Sequence, residues 1–277
     1  MIRRLTEADR QTTLDFLLEE PEINLFAIGD IERFGFDAHF QTLWGDFEAD
    51  TDHLQAVLLR YESNYIPYFK NNHYNPAIFA NIMLSDPDFR MLSGRLPLVR
   101  RVQEAIAIAT EALERPEPAY IEKVTYFCKL TEATQLSPEN PTQTIKIAIP
   151  DDAPRILDLI KEIDEFSDSI TTTEHRMREN IETGASRVYF IEDPNRRLLT
   201  VSQTAAENSA SAMIVGVATR PDHRAQGLMS ACLSSLCRDL LGEGKTLCLF
   251  YDNPRAGSVY HRLGFDTIDQ WLMLIKR

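Results

Sequence analysis

The segment between residues 211 and 242 carries the residue types and spacing best suited to binding an anion. Its sequence predicts a β-strand ending at Thr219, a proline-containing turn, and an amphipathic helix that starts directly after Gly227. The first N–H groups of a helix lack intrahelical acceptors, and the helix dipole adds partial positive charge there. Gly227 lets the backbone approach a phosphate, and Arg224 can donate a charge-assisted hydrogen bond. The segment therefore predicts a phosphate-binding turn, with an ordinary structural glycine turn as the alternative.

A second segment follows the apolar strand predicted at 246–251. Asn253 stands at the end of that strand, where its side chain can cap a helix or bond a ligand amide. Tyr260 follows seven residues later, about two turns along the next helix, and Gly264 ends that helix. Taken alone, Tyr260 is more typical of a half-buried core residue than of a catalytic acid.

The two segments together resemble the GNAT superfamily of acyl-CoA-dependent N-acetyltransferases. The resemblance rests on Pro-x-x-Arg-x-x-Gly after a strand and Asn-x-x-Ala-x-x-x-Tyr-x-x-x-Gly-Phe about 30 residues later, and it covers about residues 140–277. It implies transfer of an acetyl group from acetyl-CoA, the co-substrate, to a primary amine. The coenzyme-binding residues that it implies are Val217, Thr219, Arg224, Ala225, Gln226, Gly227, Leu228, Met229 and Asn253. At the position of Met229 the family prefers Gly or Ala, so this sequence departs from the pattern there.

Two further residues are expected to act in the chemistry. Direct attack by an amine needs proximity, a proton acceptor and a group that stabilises the departing thiolate. The resemblance places Tyr260 near the coenzyme sulfur, which its hydroxyl would protonate. We expect Glu207, in the turn between two predicted strands, to be the base, and a solvated turn carboxylate is the alternative interpretation. A backbone N–H near Val217 would hold the oxyanion.

The first half resembles the family less closely. It contains Asn24-Leu-Phe-Ala-Ile-Gly-Asp30 and Trp44-Gly45, which occur in acetyltransferases with an extra N-terminal portion, but it has no Arg-x-x-Gly-x-Gly/Ala loop. The polar segment 131–144, with two prolines, is typical of a linker. We therefore expect tandem GNAT-like domains of the α/β class with a mixed sheet. Residues 1–140 would form a degenerate domain for substrate or partner contacts, and 141–277 the complete acetyltransferase domain.

Hydrophobic periodicity and turn residues predict the elements that position these residues. In the second half, strands are predicted at 144–149, 187–192, 198–205, 211–219, 246–251 and 269–275. Four helices are predicted there: one directly after Asp152, one at 173–181, one from Met229 to Gly242 and one at 256–263. In the first half, strands are predicted at 2–5, 54–61, 63–69 and 120–130, and helices at 76–83, 96–108 and within 11–33.

Composition limits the other function classes. The 277 residues include 29 Lys and Arg against 42 Asp and Glu, a net charge of −13, which disfavours nucleic-acid binding. The acidity lies mainly in the first half and favours a cationic acceptor. The sequence has no apolar run of membrane-spanning length and no signal peptide, so we expect a cytoplasmic protein without membrane contact. The four cysteines and six histidines show no metal-binding spacing, so no metal is expected.

Two other functions stay open at this stage. A transferase of another acyl or aminoacyl group would carry the same motifs, because acyl preference depends on the volume of the pocket. A non-catalytic acyl-CoA-binding module is the second alternative, which the presence of both Asn253 and Tyr260 disfavours. The identity of the amine, the oligomeric state (a homodimer among the options) and the role of the first half are not determined by the sequence.

Overall fold

The computed structural model describes residues 1–51, 53–71, 74–114, 116–140, 143–163 and 172–277. The chain divides into two compact units. Unit 1 comprises Met1–Phe127 together with Asp269–Arg277, and unit 2 comprises Cys128–Ile268. The division therefore differs from the one expected at 140/141, and the last nine residues belong to unit 1.

The reason for both differences is the burial of apolar side chains. Leu272 and Leu274, near the end of the chain, lie in the hydrophobic core of unit 1. The polar segment 131–144 contributes Leu136 to the core of unit 2, and the Ser137 N–H donates to Ser234 Oγ at 3.0 Å. Residues 136 and 137 of this polar segment are therefore packed in unit 2, unlike residues of a free linker.

Unit 1 is a sheet covered by four helices. Its strands are β1 (Ile2–Arg4), β2 (Gln41–Phe47), β3 (Leu54–Tyr61), β4 (Asn64–Phe69), β5 (Met91–Arg95), and most of β6 (Tyr120–Leu130) and β12 (Asp266–Lys276). Its helices are α1 (Arg10–Leu17), α2 (Leu25–Phe34), α3 (Ala77–Ser85) and α4 (Leu96–Ala112). The strands run in the order β1-β2-β3-β4-β5-β12, and β4 and β5 are parallel.

Unit 2 has the same kind of architecture. Its strands are β7 (Lys146–Ile147), β8 (Val188–Glu192), β9 (Leu198–Ala205), β10 (Ser211–Thr219) and β11 (Thr246–Tyr251). Its helices are α5 (Ala153–Lys161), α6 (Glu174–Glu182), α7 (Leu228–Gly242) and α8 (Pro254–Arg262). The strands run in the order β11-β10-β9-β8-β7, and β10 and β11 are parallel. One core lies between the sheet and α7 and α8, and the other packs against α5. The expected mixed α/β class is confirmed.

A β-bulge interrupts β10. Its pairing with β9 shifts register between Val215 and Ala218, where one extra residue is inserted into β10. Gly216 lies in the bulge with φ +55°, and a Cβ atom there would lie 1.9 Å from Nε2 of Gln203. Only glycine satisfies both the left-handed backbone and the close approach of the Gln203 amide.

The bulge gives a test of the fold. We expect Gly216→Ala to lower the free energy of unfolding by about 1–3 kcal/mol, because it combines left-handed strain with a steric clash. The double variant Gly216→Ala/Gln203→Ala should recover the part of this loss that the clash with Gln203 causes. Urea denaturation measures the free energy of unfolding of each protein. Gly242→Ala is the matched control, since a Cβ at the end of α7 meets no atom within 4 Å. Equal stabilities for Gly216→Ala and the control would contradict this account.

Candidate active site

The two parallel strands of unit 2 separate part-way along their length. The register between β10 and β11 runs from Ser211–Thr246 to Ile214–Leu249 and then stops. Both strands continue further, β10 to Thr219 and β11 to Tyr251. The last five residues of β10 are therefore not paired with β11. Their backbone groups on that side are available to an extended ligand, and they include Val217 and Thr219, two of the residues implied by the sequence.

The turn after β10 is anchored by a buried arginine. Arg220 is only 5% exposed, and its guanidinium forms an ion pair with Glu162 and donates from Nε to the carbonyl of Leu198 at 2.5 Å. Its backbone N–H donates to the carbonyl of Leu199 at 2.9 Å. Sequence reasoning missed Arg220, because its partners lie 22 and 58 residues away in the chain. It fixes the point at which the anion-binding turn begins.

The backbone of this turn fits a diphosphate. Ala225 and Gly227 both have left-handed backbones, with φ +60° and +75°. Gly227 is the N-cap of α7, no side chain caps this helix, and a Cβ on Gly227 would meet no atom within 4 Å. The first backbone bond of α7 joins the Ala231 N–H to the Gly227 carbonyl at 3.0 Å, so the three preceding N–H groups have no intrahelical acceptor. Such a concave run of amides is an anion-binding arrangement.

The side chains around the turn are compatible with this interpretation. Arg224 is exposed and its Nε donates to the Thr219 carbonyl at 3.3 Å. Ala225 and Gln226 are exposed as well. Met229, the residue that departs from the family pattern, packs with Leu228 against the core of unit 2. Its bulk is therefore accommodated in the core.

Tyr260 lies on α8, and Asn253 directly precedes this helix. Tyr260 is 8% exposed, and the centroid of its ring lies 6.0 Å from the ring centroids of Phe265 and Tyr251. Burial, with a smaller contribution from Cys128, raises the pKa of Tyr260 to about 12. Within the described residues its hydroxyl has no hydrogen-bond partner. Asn253 caps α8, because its Oδ1 accepts from the Arg255 N–H at 2.9 Å.

Glu207 lies at the opposite end of β10 from the turn that begins at Arg220. It precedes β10, whereas the turn that begins at Arg220 follows it, and the nine residues of β10 span about 26 Å. The Glu207 carboxylate accepts from Thr204 at 2.5 Å, from Arg187 at 2.9 Å and from Lys245 at 3.1 Å. Glu207 therefore lies beyond the Ser211 end of β10, and Val215, where the strand opening begins, lies four residues after Ser211.

Unit 1 contains a similar strand opening. The pairing of β4 with β5 covers only Asn64–Met91 and Tyr65–Leu92. A Cβ on Gly94 of β5 would lie 3.2 Å from Val99 of α4 and 3.6 Å from Cδ of Pro67 of β4, so the proline ring lies close to Gly94 beside this opening.

Two side chains lie around the start of α3. Asn75 Oδ1 accepts from the Ala77 N–H at 3.0 Å. Tyr74 is buried, and the centroid of its ring lies 4.9 Å from that of Phe69. One of the first N–H groups of α3 therefore already has a side-chain acceptor.

Comparisons with known proteins agree with this geometry. A family model described as FR47-like protein matches residues 201–274, which include the bulge, the turn after β10 and α8. No curated protein matches the sequence. Among solved structures, a Drosophila protein is similar over 99% of this chain and 98% of its own, with a TM-score of 0.73 and 12% identity.

Two further solved structures are tandem or GCN5-related proteins. A tandem GNAT protein from the clavulanic acid biosynthesis pathway is similar over 99% of this chain and 97% of its own, with a TM-score of 0.58 and 14% identity. A GCN5-related N-acetyltransferase-like protein from Streptococcus suis is similar over 98% of this chain and 100% of its own, with a TM-score of 0.57 and 14% identity. The chain has the tandem GNAT fold.

Among the described residues, no cluster of His, Cys, Asp and Glu is arranged to hold a metal ion. No described helix is both long and apolar enough to cross a membrane.

The cap of α8 can be tested directly. We expect Asn253→Ala to lower the free energy of unfolding by about 1 kcal/mol, because the Arg255 N–H loses its acceptor. Asn253→Asp should keep most of the stability, since a carboxylate oxygen accepts the same bond. Chemical denaturation of the three proteins measures both effects. If alanine and aspartate behaved alike, the capping role would be wrong.

Proposed function

We propose that the protein is a GNAT-type N-acetyltransferase that transfers the acetyl group of acetyl-CoA to a primary amine in unit 2. One observation carries the proposal: the uncapped N-terminus of α7, preceded by left-handed Ala225 and Gly227, stands at the end of a strand that has left its parallel neighbour. The amides of the turn can bind the diphosphate of the coenzyme. The unpaired edge of the strand can bind the pantetheine arm that is attached to this diphosphate.

Each part of the opening has its own role. The turn from Arg224 to Met229 binds the pyrophosphate of the coenzyme through backbone N–H groups, and Arg224 adds a charge-assisted bond. Val217 and Thr219 offer backbone groups to the pantetheine arm and the thioester carbonyl. Asn253 contacts the coenzyme with its amide nitrogen while its oxygen caps α8. Arg220 holds the turn without touching the ligand.

Tyr260 stabilises the leaving sulfur by donating a hydrogen bond. A phenol with a pKa of about 12 stays protonated at neutral pH, and its hydroxyl is not used by another described residue. The pKa of an ordinary thiol is about 8.5. Full transfer of the Tyr260 proton to a thiolate is therefore unfavourable, and the tyrosine acts as a donor that strengthens its bond as negative charge develops.

Unit 1 does not bind the coenzyme in this proposal. The Pro67 ring lies close to Gly94 beside the strand opening, and Asn75 accepts from the Ala77 N–H at the start of the helix that would face the phosphates. We therefore expect one coenzyme per chain. The acceptor is an amine that is cationic in solution, where the net charge of −13 attracts it by long-range electrostatics. It attacks the thioester as the neutral amine after losing one proton to water, and the second proton lost from nitrogen as the amide forms ends through water on the departing coenzyme thiolate.

The phosphate-binding turn can be tested with a pair of matched glycines. Gly227 and Gly184 have φ values of +75° and +70°, and a Cβ on either would meet no atom within 4 Å. We expect both alanine variants to lose about 1–2 kcal/mol of stability through the same backbone strain. Only Gly227→Ala should weaken acetyl-CoA binding, by roughly tenfold or more, because it alters the amides of the turn.

Isothermal calorimetry with acetyl-CoA measures this difference and the stoichiometry, for which we expect one site. Two sites per chain would show that unit 1 binds coenzyme as well. Absence of any binding by the wild-type protein would remove the proposed function. Binding without thiol release across a panel of amines and acyl-CoA donors would favour the non-catalytic alternative.

Tyr260→Phe tests the role of the hydroxyl. We expect turnover to fall roughly a hundredfold while acetyl-CoA affinity is retained, because the hydrogen bond is formed mainly in the transition state. Turnover is followed as free thiol released from acetyl-CoA in the presence of an amine. Tyr126→Phe, at an exposed tyrosine of β6, is the control and should keep full activity. Unchanged turnover in Tyr260→Phe would exclude the proposed role.

A further inference from the structure

His261 forms three polar contacts although it lies on the exposed side of α8. Its Nδ1 lies 2.7 Å from the carbonyl of Phe265, its Nε2 lies 3.1 Å from the hydroxyl of Tyr251, and Nε2 also lies 3.5 Å from Oγ1 of Thr267. A solvated surface histidine needs none of these contacts. They tie the end of α8 to the last residue of β11 and to the start of β12.

The contacts fix the tautomer of the neutral ring. A carbonyl oxygen only accepts, so the proton must be on Nδ1, which donates to Phe265. Nε2 is then the acceptor, and the closer hydroxyl, that of Tyr251, donates to it. The Thr267 hydroxyl has a second neighbour at 3.3 Å, the thiol of Cys128.

Tyr251 is held tightly between its neighbours. Its ring meets that of His261 edge to face, with centroids 5.9 Å apart. A Cβ on Gly257 would lie 2.4 Å from the Tyr251 ring, so the helix approaches the ring as closely as glycine allows. Gly257 and His261 are four residues apart and share one face of α8. The ring of Tyr251 is thereby fixed at the end of β11, beside the strand opening.

The fixed ring lies next to that of Tyr260, with centroids 6.0 Å apart and an angle of 50° between the planes. The two hydroxyls differ: that of Tyr251 is bonded to His261, whereas that of Tyr260 has no partner within the described part of unit 2. The Tyr251 ring thus lies beside that of Tyr260, and His261 holds the Tyr251 hydroxyl.

We propose that His261 is a positioning residue for the acetyl transfer: its Nε2 holds Tyr251, and the fixed Tyr251 ring sets the orientation of the Tyr260 hydroxyl toward the strand opening. The inference rests on the proposed function and adds two residues, His261 and Tyr251, that no sequence motif had assigned. Neither needs to touch the coenzyme, because both act through Tyr260.

The test uses variants that separate the acceptor from the donor of the imidazole. Glutamine can place an amide oxygen where Nε2 lies, whereas asparagine reaches only the position of Nδ1. We expect His261→Leu and His261→Asn to lower kcat about tenfold, because misorientation of a group near the reacting atoms costs rate. The KM for acetyl-CoA should stay within about twofold. His261→Gln should retain most of the wild-type kcat, and Arg262→Gln, at the exposed neighbouring residue, is the control.

A double-mutant cycle tests the path through Tyr251. Tyr251→Phe should lower kcat as much as His261→Leu, and the double variant should show no further loss, because both remove the same bond. A second measurement needs no amine: the pKa of the thiol of bound coenzyme A, followed by thiolate absorbance, should rise in His261→Leu and stay unchanged in His261→Gln.

The outcomes separate this inference from the function on which it rests. Equal kcat and equal bound-thiol pKa in the wild type, His261→Leu and Tyr251→Phe would overturn the positioning role and leave the acetyltransferase standing. Losses that add in the double variant, or that glutamine fails to rescue, would also overturn it. A wild-type protein that binds no coenzyme A would overturn both together.

Discussion

The candidate site depends on the early end of the pairing between β10 and β11. Parallel strands that stay paired satisfy each other's backbone groups and leave no room for a ligand between them. Here pairing stops at Ile214 and Leu249, and the bulge at Gly216 redirects the rest of β10. The backbone that β11 no longer satisfies, together with the free amides at the start of α7, makes a continuous polar surface from Val217 to the first turn of the helix.

The two units illustrate how few residues decide whether such an opening is usable. Both have a parallel strand pair that ends early. In unit 1 the Pro67 ring lies close to Gly94, and the Ala77 N–H at the start of the following helix is bonded to Asn75. In unit 2 the equivalent positions hold a bulge with glycine and an uncapped helix. The fold supplies the opening, and local side chains determine whether it binds a ligand.

The tyrosines of unit 2 show a similar division of roles. The Tyr251 hydroxyl is bonded to His261, whereas that of Tyr260 has no hydrogen-bond partner among the described residues. The ion-pair cluster of Glu207 with Arg187 and Lys245 lies at the other end of β10 and stabilises the turn there.

The sequence predicted most elements of both units, but it missed two strands of unit 1. Strand β2 (Gln41–Phe47) contains Gln, Gly and Asp, and β5 (Met91–Arg95) is short and polar, so neither has the apolar run that identifies a strand. Both are stabilised by their neighbours in the sheet. The assignment of the chain end to unit 1 also escaped the sequence, because burial of Leu272 and Leu274 is a tertiary contact.

By itself the sequence determined the parts of the site that are local in the chain. The turn from Arg224 to Met229 and the cap at Asn253 are set by residues within a few positions of each other, so their spacing alone predicts them. The tertiary structure alone decided the rest. It placed Glu207 at the far end of β10, anchored Arg220 on Glu162, and joined His261 to Tyr251. These outcomes depend on strand register and helix packing, which bring distant residues together and leave no periodic signal in the chain.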